Sequence, residues 1–299
     1  MYVVFGATGQ TGSTVADTLL EKKLSVRVVL RSDKTADTWR AKGADVAFAD
    51  VNDADAMTDA MRDADAVYAM NPPAYNVADM FALAREIGKR YVTAVKNSGA
   101  RKVVLLSSVG SQHAAGTGNI LTTHILEKIF SDSEVPVAFL RAASFMENWS
   151  GVAKVAAVQG VLPSFYTPLD RQIPMVSAAD IGRAAAEAMT EDWTGRRIIE
   201  LHGAADYSPN DVAAAFAAAL GRDVQAVAVP ESEWQATLSR FGFSPEVVNN
   251  YSEMMRGFNS GHIVFEGGSH VQTVKGQTTI EDAIGKMTEE QALNKKLGA

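Results

Sequence analysis

Three groups of residues in this chain have types and spacings suited to chemistry. The first lies in the opening stretch YVVFGATGQTGSTVADTLLEKK, which carries glycines at positions 6, 9 and 12. Each glycine weakens an ordinary strand or helix, so three at this spacing ask for a backbone approached more closely than a Cβ permits. Tyr2 to Phe5 form a β-rich apolar run, and Val15, Ala16, Leu19 and Leu20 recur at helical spacing. The glycines therefore sit on a strand-to-helix turn. Gly6 lets the chain turn tightly, Gly9 lets a diphosphate reach the main chain, and Gly12 lets the helix lie against the strand. The helix N-terminus offers N–H groups and a partial positive charge to an anion, and Thr8, Gln10 and Thr11 are placed to add side-chain donors.

The second group ends the next strand. A dinucleotide fold that prefers NAD puts Asp or Glu about 20 residues past the glycines to hold the ribose hydroxyls. Here the chain reads VVLRSDK, with Arg31 in that neighbourhood and Lys34 close behind. A carboxylate would repel a 2′-phosphate, whereas a guanidinium holds it through two charge-assisted hydrogen bonds. NADPH is the cofactor this pattern predicts. The third group is His124 and Lys128 in THILEK, four residues apart and so on one helix face. An imidazole and an ammonium so placed suit the stabilisation or protonation of negative charge on a reduced acceptor.

These residues need a scaffold, and the first half supplies one by alternating strands with helices, the signature of a parallel sheet covered on both faces. After the glycine turn, strands are predicted over 24–31, 44–50, 65–70, 101–108 and 135–141. Helices are predicted over 53–64, 78–97 (ended by Gly99) and 120–132, and the prolines of Asn71–Tyr75 break the chain after the fourth strand. Further on, Ser177 opens an apolar helix, 196–203 reads as a strand returning to the sheet, and Ser208 with Pro209 starts a helix to Leu220. A short strand over 223–230 and helices over 231–240, 245–257 and 280–286 complete the reading. The fold class is α/β: a Rossmann-type doubly wound parallel sheet over 1–145, with a smaller mixed α/β, substrate-facing domain over 146–299 whose segments interleave with the first.

Composition narrows the function. The chain has 299 residues, 47% of them hydrophobic and 21% charged, enough for a large globular core. A net charge of −7 argues against a nucleic-acid or anionic-membrane partner. There is no cysteine, which excludes disulfides, thiolate metal sites and cysteine nucleophiles. The five histidines, at 113, 124, 202, 262 and 270, show no metal-ligand spacing, and no G-x-S-x-G nucleophile elbow occurs. Met1 runs directly into the first strand and no apolar run approaches a membrane span, so a cytoplasmic location is expected.

Several segments together, GATGQTG, Arg31, LLSSVGSQHAAGTG (105–118), VPVAFLRAASFMENW (135–149) and MVSAADIGRAAAEAM (175–189), resemble the NmrA-like family of atypical short-chain dehydrogenases/reductases. The resemblance runs to roughly residue 230. It implies a cleft between the two domains that receives NADP and a substrate. Family members include quinone and azo-dye reductases, isoflavone-reductase-like enzymes and non-catalytic redox-sensing regulators. Carried over position by position, it assigns Gly6, Thr8, Gly9, Gln10, Thr11, Gly12 and Arg31 to the cofactor motif. Asp50 and Val51 fall to the adenine side, Met70, Asn71 and Pro72 to the loop beside the adenosine ribose, and Ser107, Ala143, Ser144 and Phe145 to the nicotinamide end. Asn148 and Trp149 belong to the substrate pocket or the domain junction, and His113 is a further candidate donor there.

Typical short-chain dehydrogenases use a tyrosine and a lysine one helical turn apart, but none of the seven tyrosines here has that lysine. Lys128 and His124 are the catalytic candidates in its place. The expected activity is NADPH-dependent hydride transfer to a quinone-like, azo or carbonyl acceptor, a small molecule. The alternative is a non-catalytic NADP(H) sensor acting on a regulatory protein partner, and a homodimer is also compatible.

Overall fold

The computed structural model describes residues 1–297, with side chains as far as Glu290. Eight parallel strands form the main sheet. They are β1 (Tyr2–Phe5), β2 (Val26–Leu30), β3 (Asp45–Phe48), β4 (Ala66–Ala69), β5 (Val103–Ser108), β6 (Val137–Ala142), β10 (Arg196–His202) and β13 (Val271–Lys275), in the order β13-β10-β6-β5-β4-β1-β2-β3. Between them the chain makes β7 (Ser144–Phe145), β8 (Val161–Ser164), β9 (Ile173–Val176), β11 (Asp206–Tyr207) and β12 (Gln225–Ala228). These pair in two small sheets, β11-β9-β7 and β12-β8. The central strands are apolar on both faces, and β4 is buried throughout, as a sheet covered by helices on both sides requires.

The helices are α1 (Gln10–Glu21), α2 (Ala36–Ala41), α3 (Ala54–Ala60), α4 (Met80–Ser98), α5 (Leu121–Ser131), α6 (Ser150–Gln159), α7 (Ala178–Thr190), α8 (Pro209–Leu220), α9 (Glu231–Ser239), α10 (Pro245–Ser260) and α11 (Ile280–Leu297). Alternate residues of the strands feed two cores. Val4, Val28, Tyr68, Val104 and Leu140 pack under α1 and α7, while Val3, Val67, Leu105 and Phe139 pack under α4 and α5. Helix α7 comes so close to α1 that a Cβ on Gly182 would lie 2.4 Å from Thr14 Cβ.

The predicted elements of the first half all form, most of them a residue or two shorter than read. Gly99 closes α4 in the left-handed conformation (φ 75°), and Ser208 with Asp211 forms a full capping box. Not foreseen are helix α6, the short strands β7, β8, β9 and β11, and β13, which adds to β10 and makes the main sheet one strand wider. Main-sheet strands and α7 thus come from beyond residue 145. The third core, around Met146, Trp149, Leu162, Phe216 and Ile284, belongs to the smaller unit. Strands run outward from β1 in one direction and from β4 in the other. The crevice where the order reverses, beyond the carboxyl ends of β1 and β4, is where such sheets bind ligands.

Candidate active site

The glycine turn has the geometry its spacing demands. Gly6 adopts φ +69° and its carbonyl accepts from Gly9 N at 2.8 Å. A Cβ on Gly12 would stand 2.3 Å from Gly6 O and 2.9 Å from Phe5 O, so only glycine lets α1 rest on β1. The first turn of α1 carries neither a side-chain cap nor an acidic residue, which leaves its N–H groups open to an anion. Thr8, Gly9 and Gln10 are exposed around it. Thr11 is buried, and its hydroxyl accepts from Tyr68 Oη at 2.9 Å, which fixes the side chain while leaving its own O–H as a donor.

Arg31 stands exposed at the end of β2, with no hydrogen bond or ion pair among the described residues. Asp50, past β3, already accepts from Asn52 N (2.8 Å) and Asn52 Nδ2 (2.7 Å) through one oxygen, and Val51 is half-buried beside it. Met70 lays its side chain over Gly6, and its carbonyl accepts from Tyr91 Oη at 3.3 Å. Asn71 and Pro72 line a cavity of about 190 Å³ together with Tyr75 and Thr123. Asn119 borders this cavity and the larger one beside it, and its Oδ1 is buried without a hydrogen-bond partner.

The larger cavity is a cleft of about 540 Å³. Gln10, Ser108 and Ala143 to Phe145 reach it from the sheet side, and Asn148 and Trp149 line it from the turn after β7. Seven further lining residues are aromatic. Tyr75 stacks on Phe243 (5.0 Å, 22°), Phe165 meets Tyr251 edge-on (5.9 Å, 73°), and Tyr166 meets Phe258 the same way (5.5 Å, 79°). Tyr166 Oη lies 3.1 Å from Ser144 Oγ. At the mouth the loop after β4 is strapped to the start of α10: Ser244 N donates to Tyr75 O (3.0 Å) and Ser244 Oγ to Val77 O (3.1 Å). Glu147 also lines the cleft, both carboxylate oxygens accepting from Ala178 N at 3.0 Å. Burial pushes its pKa up, and the Ala178 N–H only partly offsets this.

Ser107 and the predicted catalytic pair sit elsewhere. Ser107 is paired with Arg141 across the sheet, so its side chain points to the α5 face. There it donates to Glu127 Oε1 at 2.5 Å, and Glu127 in turn is held by Arg141 (2.9 and 2.7 Å). This ion pair is buried, and Arg141 also bonds Glu266. It is Ser108, one residue on and on the opposite face, that lines the cleft. His124 and Lys128 do share a face of α5, but that face borders a separate groove shared with Arg196 and His270. Lys128, 64% exposed, is paired with Asp132, and His124 Nδ1 lies 2.8 Å from Ser111 O. His113 stacks on His262 (4.3 Å between ring centres), fastening two loops together rather than lining the cleft.

A family model described as NmrA-like family matches residues 2–290. The chain belongs to the NmrA-like family. Among curated relatives of this family member, an NAD(P)H azoreductase of Xenophilus azovorans is 25% identical over 257 residues, 85% of this chain and 86% of that protein. Quinone oxidoreductase 2 of Escherichia coli (strain K12) is 23% identical over 96% of this chain and 98% of its own. Among solved structures, an NADPH-dependent quinone oxidoreductase from Escherichia coli in complex with NADPH superposes with a TM-score of 0.78 at 22% identity, covering 96% of this chain and 100% of that one. Citrobacter sp. triphenylmethane reductase complexed with NADP(H) gives 0.79 at 17% identity, over 96% and 100%. At these identities the structural likeness establishes the fold, a Rossmann-type sheet with a smaller C-terminal unit. Among the described residues no helix is long and apolar enough to cross a membrane.

Sequence reasoning missed the cleft's aromatic wall, Phe165, Tyr166, Phe243, Tyr251 and Phe258. These residues come from the turn after β8, the loop before α10 and α10 itself, and carry no shared spacing; the chain is about as rich in aromatics after residue 160 as before it, so composition gives no signal either.

Proposed function

We propose that this protein is an NADPH-dependent oxidoreductase whose acceptors are flat aromatic molecules of quinone or azo type. The observation that carries the reading is the position of the aromatic cleft. It opens beside the glycine turn, at the carboxyl ends of β5 and β6, where the reactive end of a dinucleotide laid across the crevice would meet it.

The residues present fit such a dinucleotide. A Cβ-free cradle at Gly6, Gly9 and Gly12, an open helix end at α1, a guanidinium at Arg31 with no partner among the described residues and a buried Asn119 Oδ1 without a hydrogen bond suit its phosphates and polar groups. Bound NADPH would supply the hydride. The chain's own part is to bind, orient and dry the site. The first turn of α1 would neutralise the diphosphate, and Arg31 would grip the 2′-phosphate and set the preference over NADH. Asn71 and Pro72 would flank the nucleoside, and Ala143, Ser144 and Phe145 would floor the reactive end. The aromatic walls would hold a planar acceptor by stacking and exclude water from it. Such acceptors take hydride readily, so strong acid catalysis is not required of the protein. A sensor without turnover has no need of a second, substrate-sized aromatic cleft. The curated azo and quinone reductases related to this chain support the same choice.

The test is loss of NADPH absorbance with a panel of quinones, azo dyes and aldehydes. Oxidation with the aromatic acceptors and weaker activity with small aldehydes is expected. Tight NADPH binding with no oxidation by any of them would overturn the reading.

A further inference from the structure

The cleft is walled by rings, yet an acceptor must have its oxygen or nitrogen held in register. Few hydroxyls face the cleft from rigid positions. Tyr166 follows β8, its ring fixed against Phe258 at 5.5 Å and Trp149 at 6.0 Å. Its Oη reaches Ser144 Oγ, 3.1 Å away, and Ser144, two residues past β6, opens β7 on the floor of the cleft. Tyr251 projects from α10, its ring seated between Phe165 (5.9 Å) and Phe243 (6.2 Å). The Tyr251 hydroxyl makes no hydrogen bond among the described residues, although its neighbours are almost all apolar. A cleft-lining phenol with no such partner keeps its O–H free for an acceptor held there.

We propose that Tyr251, together with the Tyr166–Ser144 pair, forms the hydrogen-bonding end of the acceptor site, holding the acceptor and its developing charge in a chain whose α5 carries no Tyr/Lys pair. The inference rests on the reductase reading above. Burial raises both phenol pKa values, and for Tyr251 the nearness of Tyr166 and Tyr75 raises it further. Both hydroxyls therefore keep their protons across the working range and act as donors, not as bases. In the reaction the acceptor gains two electrons and one hydrogen from NADPH, which leaves as NADP+. The negative charge left on the acceptor's oxygen or nitrogen is met by the tyrosine O–H groups, and one proton from water neutralises it. The cleft-facing hydroxyls thus stabilise charge and fix position while solvent supplies the proton.

Tyr251→Phe and Tyr166→Phe each remove one oxygen and leave the ring packing in place. The first measurement uses the protein without cofactor: 2-methyl-1,4-naphthoquinone and naphthalene are titrated by quenching of tryptophan fluorescence. Each substitution is expected to weaken quinone binding about tenfold, with naphthalene binding and, separately, NADPH binding unchanged. In turnover, kcat with the quinone is expected to fall by about 10- to 100-fold, and Ser144→Ala to shift both readings in the same direction. Unchanged quinone binding and turnover in both tyrosine variants, with the parent protein active, would overturn this inference alone. A parent protein that binds NADPH and reduces no acceptor would overturn the reductase reading and this inference with it.

Discussion

The glycine cradle invites a paired substitution, Gly9→Ala against Gly12→Ala, because the structure separates their effects. A methyl on Gly12 would stand 2.3 Å from Gly6 O and 2.6 Å from Gly6 C, about 1 Å inside ordinary contact. Both obstacles are backbone, so no rotamer relieves them, and α1 is held at its flank by α7, whose Gly182 already abuts Thr11 O and Thr14. The N-terminal turn of α1 must lift from β1, at the overpacking cost of about 2–3 kcal/mol. Gly9 differs. Its backbone, φ −97° and ψ 170°, is open to alanine, and its added Cβ would meet only Gly6 O at 3.3 Å. The entropy gained through the unfolded chain offsets the weaker cap, so stability should change by less than about 1 kcal/mol. The same methyl would stand where a diphosphate must approach, and NADPH affinity should fall at least tenfold, about 1.4 kcal/mol. Thermal melting without cofactor and fluorescence titration with NADPH read the two quantities separately. Gly12→Ala should melt several degrees lower and bind poorly; Gly9→Ala should melt like the parent and bind poorly. If Gly9→Ala bound NADPH as tightly as the parent, the loop would not be the diphosphate seat.

Arg31→Ala should cost about 1.5–3 kcal/mol of NADPH affinity and leave NADH binding nearly unchanged; equal losses for the two would remove Arg31 from the 2′-phosphate. Glu147 has a folded pKa raised by burial above its ordinary 4.5, so its contribution to stability is fully present below that value and is lost as pH rises through the raised one. Glu147→Gln, which keeps an acceptor for Ala178 N, should therefore melt like the parent near about pH 4 and higher than the parent near about pH 8; a gain confined to the acid side would contradict the assignment. Lys128→Met and His124→Ala should leave turnover unchanged, since both face the separate groove. The exposed Lys128–Asp132 pair should give up no more than about 0.5 kcal/mol. A large fall in turnover would return the pair to the mechanism.

Local rules made much of the chain readable. The glycine turn, the Gly99 cap and the Ser208 capping box each depend on neighbours within one or two turns, and their residues announce it. The cofactor side of the crevice was legible for the same reason, because strand ends and the loops after them fall out of the alternation. What was not legible depends on which way a side chain points. Ser107 and Ser108 are adjacent, and only the pleat and the Glu127–Arg141 pair decide that the second, not the first, faces the cleft. Likewise, four-residue spacing puts His124 and Lys128 on one face of α5 but does not say what that face looks toward. The Thr11 side chain is fixed by a tyrosine 57 residues away. The aromatic wall and β13 need contacts across even greater separations, which no single stretch of sequence displays.

The position of β13 has a consequence for how the molecule behaves as a body. The chain leaves the sheet after β6, returns for α7 and β10, leaves again for the segments that wall the cleft, and returns once more as β13 before α11 packs against α8. The roof over the cleft is thus anchored to the floor at several points along the backbone instead of hanging from one linker. Such a roof cannot swing as a free flap, and whatever admits a ligand must come from loops at the rim. Nor can the sheet reach its full width until the polypeptide through residue 275 is in place.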